Sequence, residues 1–275
     1  MSTTALFKHI QAQKSYLCVG LDIDLDKVPQ HLLKAEDPIF EFAKAIIDAT
    51  APYAVAFKPN LAFFETYGVS GWQALEKTIR YIKTNYPKHF AIADAKRGDI
   101  GNTATRYAKA FFEQMNFDAV TIAPYMGRDA VEPFLAFDGK YGILLALTSN
   151  PGAADFQKKT LDGKPLFTKV LATASSWDNA HNLMYVVGAT QAEALHQIRA
   201  IVPNAFLLVP GVGAQGGDLN HVFAQGHNAQ CGLLVNASRS IIYAGSDEQF
   251  ASAAAQQALQ LQQQMEVHLT ENNLL

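Results

Sequence analysis

Eight short apolar runs recur along the chain, and longer amphipathic segments separate them. Polar residues, glycine or proline follow each run, which is typical of parallel strands buried on both faces. Regular alternation of strand and helix predicts a parallel sheet with helices outside it, most simply a closed (β/α)8 barrel. We therefore predict an α/β protein with a single domain over residues 1–275. The runs are Tyr16–Leu21, Tyr53–Phe57, Phe90–Ala93, Ala119–Ala123, Gly142–Leu147, Met184–Val187, Phe206–Val209 and Gly232–Val235.

The amphipathic segments predict the helices of this barrel, because their apolar residues recur on one helical face. Gly68 and Gly71 predict a break before the second helix, and Asp218 predicts a cap for a short helix before the last strand. The predicted helices are Pro38–Ala49, Trp72–Lys83, Asn102–Met115, Ala130–Phe137, Leu166–Ser176, Gln191–Ile201, Leu219–Ala224 and Glu248–Met265.

An open, doubly wound sheet is the alternative architecture. That fold binds dinucleotides with a G-x-G-x-x-G turn directly after its first strand. Here the first run continues as Val19-Gly20-Leu21-Asp22-Ile23-Asp24, which has no second glycine. The barrel is therefore the favoured fold.

Charge and cysteine content narrow the possible partners and the compartment. Lys plus Arg number 22 and Asp plus Glu number 25, a net charge of −3. Nucleic-acid binders usually carry a basic excess, so we expect no nucleic-acid partner. Cys18 and Cys231 both lie in apolar runs, which predicts buried free thiols and a reducing compartment. With neither a secretory leader nor an apolar run of about 20 residues, we expect a cytoplasmic protein without a membrane partner.

Polar and charged residues follow the predicted strands, where a barrel of this type carries its active site. Side chains alternate along a strand, so Asp94 and Lys96 on the third strand should point the same way, and Lys58 on the second strand should point into the barrel with them. Asp99 lies just beyond, at the turn into the following helix. The sequence therefore predicts that two lysines and a carboxylate converge inside the barrel mouth, with strongly coupled ionisation.

A purely structural ion-pair network is the alternative interpretation of these charges. Buried ion pairs often bring no net stability over an apolar core, so structure alone explains so many charges poorly. A catalytic centre is the favoured interpretation.

The loops after the last two strands predict a phosphate site. Gly211–Gly217 follows the seventh strand, and Asn236–Ser240, which includes Ser238, follows the eighth. Barrels often bind phosphate here through backbone N–H groups and a short helix N-terminus. Arg239 can supply a bidentate cation and Gln215 an amide donor. The alternative is a pair of glycine-bearing turns beside a surface arginine.

A third polar segment, Thr148–Gly152, follows the fifth strand. From its residues alone a plain surface loop is favoured over a lid whose Ser and Asn bind the substrate. The eight histidines show no metal-ligand spacing, and neither cysteine has a C-x-x-C partner, so we predict no metal site. No cofactor motif is present.

The strand-three residues resemble the orotidine 5′-phosphate decarboxylase family. Its central motif, Asp-x-Lys-x-x-Asp-Ile-x-x-Thr, is matched in full by residues 94–103. Four segments are similar in sequence to the longer bacterial branch of the family (type 2 subfamily). They are Ala95–Asp99, Phe57–Asn60, Ala123–Gly127 and Thr148–Gly152. The resemblance extends from about Gly20 to Ser240, and the chain departs from the shorter branch in its extended loops.

This resemblance implies decarboxylation of orotidine 5′-phosphate to UMP without a cofactor, in pyrimidine biosynthesis. Lys96 would protonate C6 as carbon dioxide leaves, and Asp94 would lie near the substrate carboxylate and hold Lys96. Asp99 and Thr103 would reach the neighbouring subunit's site, which implies a homodimer. The other implied contacts are Asp22 and Lys58 at the ribose, Ser149 and Pro210 at the pyrimidine, Gln215 and Arg239 at the phosphate, and Asn60 as a further site residue.

Three other functions stay open at this point. A related magnesium-dependent barrel, a sugar-phosphate aldolase or keto-acid decarboxylase, would use the aspartates as oxygen ligands. A Schiff-base aldolase would form its adduct on Lys96. A barrel that only binds a phosphorylated metabolite would carry no chemistry at all.

Overall fold

The computed structural model describes residues 1–212 and 217–275, and its centre is a closed barrel of eight parallel strands. In chain order each strand pairs with the next, and the last pairs with the first. This confirms the predicted (β/α)8 barrel and shows that the open doubly wound alternative is wrong. The strands are β1 (Leu17–Leu21), β2 (Ala56–Pro59), β3 (Phe90–Arg97), β4 (Ala119–Ile122), β5 (Tyr141–Leu147), β6 (Leu183–Val187), β7 (Leu207–Pro210) and β8 (Leu233–Ala237).

Helices surround the barrel at all eight predicted segments, and three further helices, Thr3–Gln13, Leu61–Glu65 and Arg239–Ile242, were not among those segments. Helix α5 (Gly101–Lys109) continues directly into a π-helical turn at Ala110–Gln114. The segment between β5 and α7 (Leu166–Ser175) holds a small antiparallel hairpin, Thr160–Leu161 with Lys164–Pro165, which the sequence did not predict. The helices are α1 (Thr3–Gln13), α2 (Pro38–Thr50), α3 (Leu61–Glu65), α4 (Gly68–Asn85), α5 (Gly101–Lys109), α6 (Arg128–Leu135), α7 (Leu166–Ser175), α8 (Ala192–Ile201), α9 (Leu219–Gly226), α10 (Arg239–Ile242) and α11 (Phe250–Glu271).

The break predicted at Gly68 and Gly71 is wrong, because α4 begins at Gly68 and runs through Gly71. A Cβ at Gly71 would lie 1.8 Å from the carbonyl oxygen of Phe64 in α3. The glycine therefore permits close packing of two helices instead of ending one. The predicted cap at Asp218 is confirmed, since its carboxylate accepts the Asn220 N–H at 2.9 Å.

A glycine also makes room at the mouth of the barrel. A Cβ at Gly20 on β1 would lie 2.7 Å from Ser238 Cβ and 3.1 Å from Asn236 Oδ1. Both cysteines are buried and free, as predicted, and burial raises the pKa of Cys18 to about 12. Within residues 1–212 and 217–275, no helix combines the length and apolar character that crossing a membrane requires.

Strand β3 bulges away from β4 at its carboxyl end. Ala93 pairs with Val120, but the next partners are Arg97 and Ile122, so β3 takes four steps where β4 takes two. The regular ladder then resumes, as Ala123 N–H donates to Arg97 O at 2.8 Å. This bulge carries the charged motif, and it makes β3 longer than the predicted Phe90–Ala93.

Candidate active site

The strand ends surround a cavity of about 140 Å³ at the carboxyl end of the barrel. Strands β1, β2, β3, β7 and β8, or the residues just after them, contribute to its lining. Seven of the residues predicted from the sequence lie together here. They are Asp22, Lys58, Asn60, Asp94, Pro210, Ser238 and Arg239.

One carboxylate binds two lysines at the edge of this cavity. Lys58 Nζ lies 2.7 Å from Asp94 Oδ2, and Lys96 Nζ lies 2.5 Å from Asp94 Oδ1. The side chains of Lys58 and Asp94 are 4% and 10% exposed, whereas that of Lys96 is 52% exposed. The predicted meeting of the three charged groups is confirmed, although the exposed Lys96 is not among the residues that line the cavity.

Within this cluster, Asp94 and Lys58 each favour the charged form of the other. Burial opposes ionisation of Asp94, but the Lys58 and Lys96 ammoniums outweigh it and hold the pKa of that carboxyl well below its usual range. Burial alone would lower the pKa of Lys58, but the negative charges of Asp94 and then Asp22 outweigh it and raise that pKa. At neutral pH Asp94 is therefore a carboxylate and Lys58 an ammonium.

Lys96 has an uncommon backbone conformation, with φ of 46°. For a residue other than glycine, this left-handed conformation is less favourable than the right-handed one by about 1–2 kcal/mol of free energy. The regular alternation on which the sequence prediction relied does not continue through the bulge. The prediction that Lys96 and Asp94 meet is thus confirmed, but a left-handed bulge, rather than strand parity, accompanies their contact.

Two residues that the sequence analysis did not single out hold this bulge. Thr121 on β4 accepts the Lys96 N–H at 2.9 Å and donates to Asp94 Oδ1 at 3.1 Å. Arg97 donates to Ala95 O at 2.9 Å and forms an ion pair with Glu65 of α3. The available signal was a lone hydroxyl in an otherwise apolar run, at Thr121.

Two buried oxygen atoms in the cavity lack a hydrogen-bond partner among the described residues. They are Asp22 Oδ1 and Asn236 Oδ1. Asn236 was part of the predicted phosphate loop but was not named as a contact, and the structure buries it in β8. These acceptors are available for donors such as hydroxyl groups.

Other predicted residues already have partners within the protein. Ser238 donates to Gly20 O at 3.1 Å, which ties β8 to β1. Asn60 caps α3 by accepting the Ala62 N–H at 3.3 Å. Arg239 begins the short helix α10 and is exposed at the cavity.

Besides Lys96, three predicted residues that the structure describes lie outside this cavity lining. Asp99 is partly exposed and accepts the N–H of Ile100 at 2.7 Å, and Thr103 is exposed in the first turn of α5. Ser149 follows β5, and its backbone N would lie 2.6 Å from a Cβ at Gly188, so that glycine permits the loop after β6 to approach it. Gln215 lies outside the described residues.

The loop that contains Ser149 is tied together by polar side chains. Gln157 Oε1 accepts the Thr148 N–H at 2.7 Å, while Gln157 Nε2 donates to Thr148 Oγ1 at 2.8 Å. Gln157 was not singled out from the sequence. Among residues 1–212 and 217–275, no three His, Cys, Asp or Glu side chains are grouped so that they could hold a metal ion.

Comparison with known proteins identifies the family of this chain. Residues 15–254 match the sequence model of the orotidine 5′-phosphate decarboxylase / HUMPS family. A protein of Phocaeicola vulgatus named orotidine 5′-phosphate decarboxylase is 61% identical over 267 residues, which cover 97% of this chain and 98% of that protein. The chain belongs to this family.

Other members of the orotidine 5′-phosphate decarboxylase family support the assignment. The Flavobacterium johnsoniae protein of that name is 61% identical, over 96% of this chain and 97% of its own length. A crystal structure of a Toxoplasma gondii protein, described as a putative orotidine-monophosphate-decarboxylase, has a TM-score of 0.82 at 33% identity and covers 96% of this chain and 98% of its own. The Leishmania donovani OMP decarboxylase has a TM-score of 0.79 at 35% identity and covers 95% and 99%.

Proposed function

We propose that this chain decarboxylates orotidine 5′-phosphate to UMP and carbon dioxide in pyrimidine biosynthesis, without a cofactor. The observation that carries the proposal is the Lys96 ammonium, held 2.5 Å from Asp94 in the family's central motif. Two relatives that are 61% identical to this chain over nearly their whole length are named orotidine 5′-phosphate decarboxylase. The family and the site therefore agree on one reaction.

The reaction needs a cation at a fixed place. Loss of carbon dioxide breaks a carbon–carbon bond and leaves its electron pair on C6 of the pyrimidine. A preorganised ammonium stabilises the developing negative charge, and it does so without reorganisation at the moment of reaction. Lys96 then donates a proton to C6, which completes UMP. Asp94 keeps Lys96 in place and lies near the departing carboxylate.

The remaining contacts bind the nucleotide away from the reacting carbon. Binding energy from such remote groups can be used at the reacting centre. Asp22 and Lys58 bind the ribose hydroxyls, Ser149 and Pro210 contact the base, Gln215, Ser238 and Arg239 bind the phosphate, and Asn60 is a further contact. The exposed guanidinium of Arg239 beside the cavity supports the phosphate position.

The working unit is a homodimer in which Asp99 and Thr103 serve the neighbouring subunit's site. Several large apolar side chains near these two residues are exposed, which supports an interface on this side of the barrel. Tyr125, for example, is 93% exposed after β4. The others are Ile100, Tyr107 and Met126. The protein works in the cytoplasm, with neither nucleic acid nor membrane as a partner.

Turnover of orotidine 5′-phosphate in excess EDTA tests this function. We expect the purified protein to convert the substrate to UMP at the same rate with and without the chelator. The magnesium-dependent alternatives require a metal, so a rate that disappears in EDTA and returns with Mg²⁺ would favour them. No turnover under either condition would refute the proposed function.

A further inference from the structure

Thr121 lies on β4 opposite the bulge of β3. The ladder passes from the pair Ala93 and Val120 to the pair Arg97 and Ile122, so Thr121 faces the part of β3 that has left the regular register. Thr121 is only 1% exposed. A hydroxyl at this position is therefore held inside the barrel wall beside the charged motif.

The Thr121 hydroxyl connects the backbone of Lys96 to the side chain of Asp94. It accepts the Lys96 N–H at 2.9 Å and donates to Asp94 Oδ1 at 3.1 Å. A hydroxyl has a single proton to donate. The carbonyl oxygen of Ala93, at 3.5 Å, is the more distant acceptor, so the proton belongs to the carboxylate.

This contact replaces a hydrogen bond of the sheet. A backbone N–H inside a protein needs a partner, and a bulge disrupts the ladder that would normally supply one. Lys96 also has a φ of 46°, a conformation that persists in a residue with a side chain only when its surroundings hold it. Thr121 on β4 stabilises this conformation by accepting the Lys96 N–H.

We propose that Thr121 is a positioning residue for the decarboxylation. Its hydroxyl fixes the left-handed backbone of Lys96 and also the Asp94 carboxylate, which binds the ammonium of the same lysine. The ammonium is thereby held in a single position at the reacting carbon. The inference rests on the proposed function. Because β1, β2, β7 and β8 line most of the nucleotide cavity, the effect of Thr121 falls on the chemical step and not on binding.

Thr121→Val tests the inference, because it keeps the shape of the side chain and removes the hydroxyl. We expect kcat to fall about 10- to 100-fold, the range that a misplaced catalytic group produces, while KM stays nearly constant. UMP affinity, measured by calorimetry, should stay near the wild-type value. Thr121→Ser keeps the hydroxyl and should retain most of the wild-type kcat.

Thr78→Val is the matched control. Thr78 is equally buried, and its hydroxyl donates to Ala74 O at 2.7 Å within α4, away from the cavity. This variant should lose stability without losing kcat. Thr121→Ala removes the same hydroxyl without a methyl in its place, and we expect the same change in kcat if the valine variant does not fold.

A wild-type kcat in Thr121→Val, or an equal loss of kcat in the serine variant, would overturn the inference. A loss that follows only the folded fraction, or one that appears in UMP binding, would also overturn it. Wild-type protein that releases no carbon dioxide from orotidine 5′-phosphate would refute the proposed function, and this inference with it, before any variant is compared.

Discussion

Lys58 keeps its charge at a position that is only 3% exposed, and Asp94 is the partner that makes this possible. The raised pKa of Lys58 contributes stability below its ordinary pKa of about 10.5, which is lost as the pH rises through the folded-state value. The lowered pKa of Asp94 also contributes stability, but this contribution is lost at low pH instead of high pH. Its contribution is present above the ordinary value of 3.8 and is lost as the pH falls toward the folded-state value.

Asp94→Asn should therefore destabilise the fold in a pH-dependent way. The substitution leaves the buried Lys58 ammonium without its nearest carboxylate, and removing one partner of a buried pair costs about 3–5 kcal/mol. Urea unfolding followed by circular dichroism should show this difference at pH 7. The difference should shrink below about pH 4, where Asp94 begins to lose its contribution in the wild type.

Glu76→Gln is the control for this prediction. Glu76 pairs with Arg80 on the surface of α4, where both side chains are more than half exposed, so stability should change little at any of these pH values. An Asp94→Asn protein as stable as the wild type at pH 7, or a deficit that stays constant down to pH 3, would contradict the account.

At the scale of elements, the strands were predictable because their pattern is set by burial on both faces. All eight apolar runs became strands of the barrel, and Asp218 became the cap of α9. Gly71 was wrongly predicted to lie in a break. A glycine is needed there because the helix packs closely against Phe64, and this contact exists only once the two helices have packed. A local pattern cannot report what lies across a helix interface.

Strand β3 shows the same limit within the site. The predicted meeting of Asp94 and Lys96 is confirmed, but the regular alternation behind that prediction does not hold there, since β3 has a two-residue excess over β4 and Lys96 has a positive φ. Both features depend on the partner strand. Thr121 and Asn236 were missed as site residues for a related reason, because a single polar residue inside an apolar run has no spacing signal until the barrel places it.

At the scale of the whole molecule, the central motif divides between two places. Lys96 and Asp94 form one cluster, while Asp99 accepts only the N–H of its neighbour Ile100 among the described hydrogen bonds of its carboxylate. The proposed homodimer gives Asp99 its role in the neighbouring site. Tyr125 and Met126 are exposed, and the proposed dimer would place them in its interface.

Hybrid dimers test this division. Lys96→Ala and Asp99→Ala proteins should each be nearly inactive alone, but their mixture should regain activity, since some hybrid sites combine an intact Lys96 with an intact Asp99 from the partner. Turnover of orotidine 5′-phosphate measures the recovery. Subunit exchange should be verified with differently tagged chains, and exchange without any recovery would argue against a shared site.

The most direct test of the account compares Lys96→Ala with the wild type for carbon dioxide release from orotidine 5′-phosphate. The side chain of Lys96 is half exposed, so its removal should leave the fold intact, as circular dichroism and urea unfolding would verify. We expect the rate to fall by several orders of magnitude, because the stabilising cation and the proton donor are lost together. A folded Lys96→Ala protein that decarboxylates the substrate at the wild-type rate would contradict the central claim.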